Sequence, residues 1–501
     1  MSRGMSVAVI GGGLAGLAAA RLLCVRGMAV QLYEANGKPG GCCATTRVGG
    51  YTFNDGALFL ALPAMLEHLF RRLELDRGAL LPWRRISALQ RTVLPEGTVV
   101  DLDAEAGISL EGEGAAAATV QARAELQAFL RQWDPLLHLL ADDILVHPLS
   151  LPRLVAKGWR WLHLFRGTAA SCLSASFSNE SVRAALSGTL LYTGMPPGRT
   201  PAAALLGIAG MFRQGYFIPE GGMGRLPETL ALAVRQQGGE IHLNSKVTRI
   251  LVNNGRACGI EVEGEGRVET DAVISTTSGM HTAASLLAPG DVPAGMVRKA
   301  RRAVLSHKGF VLQLGLSNAV GVRSYSNQVL PWLDEQDRLA RPDRDQLRWP
   351  IYTVPTAPVP ELAPPGGSIV EVFPPIRQDW PSHDWSEERK EAVAAQAVER
   401  LQGLHRMDIA ARRILSPKEF QHGAHLYGGA LYGLSPLAGP AALFAHRCPI
   451  RALYQAGQTT WPGFGVAAAG MSGVLAAEAL ISDLAAPARQ RGAVSSAHRP
   501  A

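Results

Sequence analysis

At 501 residues the chain has room for two to four domain-sized units and a large core. Apolar residues make up 47% and charged residues only 18%, with mean hydropathy +0.08, which excludes a disordered chain and suits an α/β enzyme with a greasy interior or a membrane-associated surface. The net charge of +7 permits anionic lipid or nucleic acid as a partner, but the chain has neither zinc-ligand spacing nor a dense Lys/Arg tract with interleaved aromatics, so nucleic acid is not expected, and neither is a metal.

The chain opens on an apolar run, Val7 to Ile10, that meets glycines at 11, 13 and 16 and passes into an Ala/Leu-rich helical segment. A strand, a tight glycine turn and a helix start place the backbone around Gly11, Gly13, Leu14, Ala15 and Gly16 where a pyrophosphate can sit on N–H groups and the positive end of a helix dipole. A second strand, Ala29 to Tyr33, ends at Glu34, the spacing of an acid that holds a ribose hydroxyl. Together these features predict dinucleotide binding. A signal peptide is the competing reading of the apolar start, and the glycines followed by Glu34 fit a first βαβ unit better. Six cysteines at 24, 42, 43, 172, 258 and 448 form neither a C-x-x-C nor a disulfide framework, which favours a reducing cytosol. No uninterrupted apolar run is long enough to span a bilayer, so no transmembrane helix is expected.

Dense glycine continues through Pro39-Gly40-Gly41-Cys42-Cys43 and Gly50-Tyr51-Thr52-Phe53-Asn54-Asp55-Gly56. These segments, with the opening fingerprint, resemble the FAD-dependent amine-oxidase-like flavoproteins and, more narrowly, the phytoene desaturase family of carotenoid desaturases and isomerases. The family has arginine after the glycine pair, facing the FAD phosphates; here the position is Cys42, and Arg47 is the nearby cation that could substitute.

Residues 64–75 read as a helix, residues 112–118 as a loop, and residues 119–140 as a helix. From 141 to 215 the chain reads as helix and loop. Within it, over 151–166, Leu151, Leu154, Val155, Trp159, Leu162 and Phe165 share one helical face, with Arg153, Lys157 and Arg160 opposite. Tryptophans on an apolar face backed by basic residues form the pattern of an interfacial helix. Trp159, Trp161, Leu162 and Phe165 are the membrane-contact candidates, set against a core-facing surface helix with solvated charges.

Residues 217–226 carry Pro219-Glu220-Gly221-Gly222-Met223-Gly224 into a helix ending near Gln237, followed by alternating strands through Ile274. The resemblance puts the backbone of Val247 against the adenine. Residues 310–316 and 369–373 read as strands and 386–404 as an amphipathic helix, while 325–365 reads as proline- and aromatic-bearing turns. His422 and His425 stand in a glycine-rich segment and read as structural. Residues 452–466, Ala-Leu-Tyr-Gln-Ala-Gly-Gln-Thr-Thr-Trp-Pro-Gly-Phe-Gly-Val, lead into a small-residue helix over 467–481, a second dinucleotide-type unit whose start could stabilise charge on a reduced flavin. The resemblance covers both ends of the chain in order and adds Gly457, Gly465 and Val466 to the cofactor contacts, with Gly40, Gly41 and Cys42. Trp461 stands where many relatives have histidine, so no acid–base role is assigned there.

The expected architecture is a two-lobe α/β flavoprotein. A discontinuous Rossmann-like FAD-binding domain comprises 1–110, 215–290 and 420–484, and an α+β substrate lobe comprises 111–214 and 291–419, with a disordered tail over 485–501. The resemblance implies noncovalent FAD and an apolar polyene or isoprenoid substrate, a C–C single bond becoming double as hydride passes to the flavin. It also implies a cytoplasmic, peripherally membrane-bound enzyme. Isomerisation or saturation on the same fold, amine oxidation, and a non-catalytic flavoprotein role in a membrane pathway complex are the alternatives. No catalytic residue is named.

Overall fold

The computed structural model describes residues 4–338 and 349–485, with the side chains of Glu96 and Phe165 outside that description. The expected tail, 486–501, also lies outside the described residues.

The Val7–Ile10 run is buried on both faces, as a strand inside a parallel sheet must be. It belongs to strand Ser6–Ile10, which pairs in parallel with Ala29–Tyr33 on one side and Ala272–Ser275 on the other. Glu240–His242 and Leu453–Gln455 extend the sheet outward, both in parallel. The resulting order, third, second, first, fourth and fifth strand, reverses beside Ser6–Ile10, and the crevice at that switch point is where such sheets bind ligands.

Helix Leu14–Val25 is buried along nearly its whole length and packs on helix Val466–Ala485. Small residues allow the close approach: a Cβ on Gly473 would lie 2.0 Å from the Ala15 carbonyl oxygen. Helix Val466–Ala485 is long and apolar enough to cross a membrane, although its sequence has no uninterrupted apolar run of that length. It is mostly buried, as the core helix of a large domain is.

The second layer is an eight-stranded mixed sheet. Its strands Val311–Leu316 and Ser368–Val372, and helix Glu387–Gln402, match the expected elements closely. Three further strands, Ser326–Val329, Ile351–Thr353 and Ile409–Leu415, lie where the sequence suggested turns or gave no element. The meander Ala88–Val93, Val99–Asp103 and Gly107–Glu111, grouped by the sequence with the dinucleotide unit, pairs into this sheet instead, through Ala88–Val93 against Ser326–Val329. Local sequence shows a meander; its partner lies over two hundred residues away. The run Ala115–Ala118, expected as loop, forms the first turn of helix Ala115–Leu139, where alanine's high helix propensity prevails.

Residues 151–166 are not one helix. An α-helix, Leu151–Gly158, gives way at Gly158 to a 3₁₀ segment, Trp159–Phe165. With three residues per turn, positions 159 and 162 eclipse, whereas 161 and 164 rotate off that ridge. Leu151, Val155, Trp159 and Leu162 are 54–67% exposed. Trp161 is half-buried against the core of the second lobe, and Leu164 is buried, so Trp161 departs from the expected surface role. The Phe165 candidate falls on a side chain outside the described residues. Arg153 and Lys157 both pair with Asp143, and the Arg160 guanidinium stands 5.7 Å from the centre of the Trp159 ring.

Candidate functional site

The carboxyl ends of the parallel strands open into a cavity of about 1650 Å³ that continues between the two lobes. That exceeds the roughly 300–1,000 Å³ of an ordinary small-molecule pocket and leaves room for a large cofactor beside an extended ligand.

At the strand ends, Gly11 has φ +100° and Gly16 packs so tightly that a Cβ there would lie 1.9 Å from the Gly11 carbonyl oxygen. Thr276, at the end of the neighbouring strand, donates its hydroxyl to Ile10 O at 2.8 Å and fixes the turn. Gly13 starts helix Leu14–Val25 with no side-chain cap, so the first-turn N–H groups of Leu14 and Ala15 face the cavity. A Cβ on Gly13 would meet nothing within 4 Å. The second glycine loop docks on the first: Gly40 N donates to Gly12 O at 2.8 Å, and Gly13 bridges to Gly40. Glu34 is buried, and its carboxylate accepts from Gly12 N at 2.6 Å and Asn36 N at 2.8 Å. Four lone-pair sites on a carboxylate leave it able to accept from a ribose hydroxyl as well.

Of the candidates named from sequence, Gly11, Gly13, Leu14, Ala15, Glu34, Gly40, Gly41, Cys42, Val247, Gly457, Gly465 and Val466 all line this one cavity. Gly16 lies behind the turn and does not line it. The second helix start, Val466 to Ala468, also opens into it. Two helix starts, the first without a side-chain cap, a glycine cradle and a buried acid at the end of the second strand fit a dinucleotide of FAD's size.

Cys42 departs from the family arginine in chemistry as well as in identity. Burial pushes its thiol up to about 12, so it is neutral, and its side chain packs against the apolar cluster of Val311, Leu415, Phe420 and Leu426. Arg47 is exposed and does not line the cavity. Trp461 is buried, does not line the cavity and donates its indole N–H to His147 O at 2.8 Å.

The remainder of the cavity is walled by aliphatic and aromatic groups, including Leu190, Met211, Ile351, Phe373 and Leu431. Among the described lining residues Glu34 is the sole carboxylate. His307 lines the wall, and burial pushes its imidazole down to about 4, so it is neutral. Polar wall residues that the sequence did not mark include Gln90, Tyr192, Ser326, Thr353 and Lys308. Residues 326–328, Ser-Asn-Gln, are polar in succession and carry no strand periodicity that sequence reading could have found.

The family model described as flavin containing amine oxidoreductase matches residues 14–481. The chain is similar to a zeta-carotene-forming phytoene desaturase of Myxococcus xanthus, 26% identical over 96% of this chain and 95% of the relative. It is also 28% identical to a lycopene-forming phytoene desaturase of Pseudescherichia vulneris, over 95% and 99% of the two chains. Among solved structures, an oxidoreductase from Methanosarcina mazei superposes with TM-score 0.63 at 17% identity, covering 95% of this chain and all of that one, which establishes the shared fold.

Proposed function

The chain belongs to the flavin containing amine oxidoreductase family, and from that membership we propose that it is an FAD-dependent oxidoreductase that introduces a double bond into an apolar isoprenoid polyene of the carotenoid-precursor type. The observation that carries the reading is the apolar cavity running on from the glycine cradle, with Glu34 as its one described carboxylate. Both Glu34 oxygens accept backbone N–H groups at the cradle, so no described acid is left beside the apolar walls to hold a cationic amine. That favours a neutral, extended substrate over an amine.

In this reading Gly11, Gly13, Leu14, Ala15, Gly40 and Gly41 hold the pyrophosphate through backbone groups, Glu34 a ribose and Val247 the adenine edge. Gly457, Gly465 and Val466 border the ring system, and Gly16 supports the turn from behind. Bound FAD supplies the two-electron oxidation, accepting hydride. The protein's own work is to align a long apolar chain, exclude water and present the start of helix Val466–Ala485 to developing negative charge. The cofactor unit then comprises the parallel sheet and its helices, and the eight-stranded sheet with residues 88–111 belongs to the substrate lobe.

The test is to purify the protein with its flavin spectrum intact, then supply phytoene or a later acyclic carotene in liposomes. Polyene absorbance moving to longer wavelength is the expected result. A geometric isomer at unchanged mass would assign isomerisation instead, and carefully prepared protein without flavin would overturn the enzymatic reading.

An apolar substrate resides in lipid, and the exposed patch of Leu151, Val155, Trp159 and Leu162 provides a place to dock on it, ringed by exposed Lys157, Arg160 and Arg166. The 3₁₀ segment Trp159–Phe165 packs on Ala202–Leu205, whose Ala203 and Ala204 line the cavity. The patch therefore lies next to the cavity wall, as a substrate entrance requires. Wild-type protein should float with anionic liposomes and the Trp159→Glu, Leu162→Glu variant should remain at the bottom of the gradient with its flavin retained; equal flotation would sink the docking proposal.

A further inference from the structure

The eight-stranded sheet carries one continuous polar rung. Gln90 is paired with Ser326, Ser326 with Thr353, Thr353 with Glu371, Glu371 with Gln313, and Gln313 with Arg413. Six neighbouring strands thus place a polar residue at the same level, whereas the next rung, from Arg91 and Asn327 through Tyr352, turns aliphatic at Val372, Leu312 and Ile414. Three consecutive members, Gln90, Ser326 and Thr353, line the cavity. Their presence is costly in an apolar wall unless each hydrogen-bonding group finds a partner.

Most of the rung is satisfied internally. Gln90 donates to Thr92 Oγ1 at 3.0 Å and Ala185 O at 2.8 Å, and accepts from Gln328 Nε2 at 3.1 Å. Thr353 donates to Glu371 Oε2 at 3.2 Å. The exception is Ser326, whose hydroxyl lies 2.8 Å from the Tyr192 hydroxyl. Two O–H groups meet there and one of them fills the shared bond. Gln328 Nε2 also donates to Ser326 Oγ at 3.4 Å, and the same amide hydrogen-bonds the Tyr192 hydroxyl; both contacts add a donor and no acceptor. One O–H of the pair therefore has no acceptor among the described residues.

The pair is also held in place. The Tyr192 ring meets Phe373 edge-on at 5.5 Å, and Tyr432 donates its hydroxyl to the Tyr192 carbonyl oxygen at 3.1 Å. Burial pushes the Tyr192 phenol above its usual range, so it stays protonated and able to donate. A fixed, buried donor in an apolar wall is the means by which a site selects a ligand with an oxygen and rejects the one without it.

We propose that the polyene this cavity accepts carries an oxygen function, a hydroxyl or a carbonyl, whose oxygen accepts the free O–H of the Tyr192–Ser326 pair. The proposal rests on the polyene reading given above and narrows its substrate class from pure hydrocarbons to oxygenated chains.

The test uses the FAD-bound enzyme and matched acyclic polyenes in phosphatidylcholine–phosphatidylglycerol vesicles: the hydrocarbon, the same skeleton with one tertiary hydroxyl, and a ketone analogue. Wild-type kcat/KM should favour the hydroxylated chain about tenfold. The Tyr192→Phe, Ser326→Ala double variant should lose that preference while keeping its flavin spectrum. Raman spectra of the ketone bound to wild type should show its C=O stretch shifted down relative to the same ketone in vesicles, a readout that needs no variant. Turnover of both chains without preference, a preference that survives in the double variant, or an unshifted C=O stretch would overturn the proposal and leave the polyene reading standing. Turnover of none of the three would overturn both.

Discussion

Gly13→Ala should yield a normally folded protein that purifies almost free of flavin. Gly13 has an extended backbone that alanine adopts readily, φ −70° and ψ 177°, and its added Cβ meets no protein atom within 4 Å. The methyl instead enters the cavity at the uncapped start of helix Leu14–Val25, where the pyrophosphate is proposed to sit. Displacing a phosphate from even one backbone N–H forfeits a charge-assisted hydrogen bond of about 1.5–3 kcal/mol, or roughly 10- to 100-fold in affinity. Gly16→Ala should fail differently. Its Cβ would lie 1.9 Å from the Gly11 carbonyl oxygen, a backbone atom with no rotamer to escape through, and overpacking of this kind costs about 1–3 kcal/mol or more. That variant should melt several degrees lower as well as lose flavin. Thermal melts and flavin content measured on the same preparations separate the two. Full flavin occupancy in a folded Gly13→Ala protein would place the phosphates elsewhere.

The same contrast explains what could be read from the chain. The glycine at 13 that opens to ligand and the glycine at 16 that packs against backbone belong to one short motif, and strand, turn and helix follow each other without a break. Local pattern is enough there, as it is for Leu453–Gln455 running into Val466–Ala485. The substrate side is built otherwise. Ser326–Val329 is polar, four residues long and followed by prolines, so it lacks the apolar alternation that marks a strand; the sheet on both sides of it makes it one. Ala88–Val93 shows itself as a strand but not which sheet it joins, since Gln90 meets Ser326 only through the tertiary fold. The break at Gly158 is a third case. Helical periodicity predicts one apolar face over 151–166, and the switch to three residues per turn divides it, leaving Trp159 outside and turning Trp161 in.

Glu371 is where this polar rung should make its largest mark on stability. Its carboxyl is wholly buried at the middle of the sheet, accepting from Gln313 Nε2 at 2.8 Å and Thr353 Oγ1 at 3.2 Å. Burial raises its pKa to about 7 from an ordinary value of 4.5, against the opposing pull of those donors and of Arg413. Between those two values the native protein keeps a proton that the unfolded chain has released. Stability from this group is therefore fully present below pH 4.5, falls as pH rises towards 7, and is lost above it, by a total of about 3 kcal/mol. Glu371→Gln removes the titration while keeping the shape: an amide oxygen can still accept from Gln313, and the amide N–H can donate to the Thr353 hydroxyl. The variant should match wild type near pH 5 and exceed it by about 1–3 kcal/mol at pH 8, the lower end allowing for one weakened hydrogen bond. Urea unfolding followed by tryptophan fluorescence at the two pH values decides it, and parallel pH dependences in the two proteins would show that Glu371 is not the group that titrates. A carboxyl placed at such cost beside Thr353, two strands along the same rung from Ser326, fits a sheet face whose polarity serves the cavity rather than the fold.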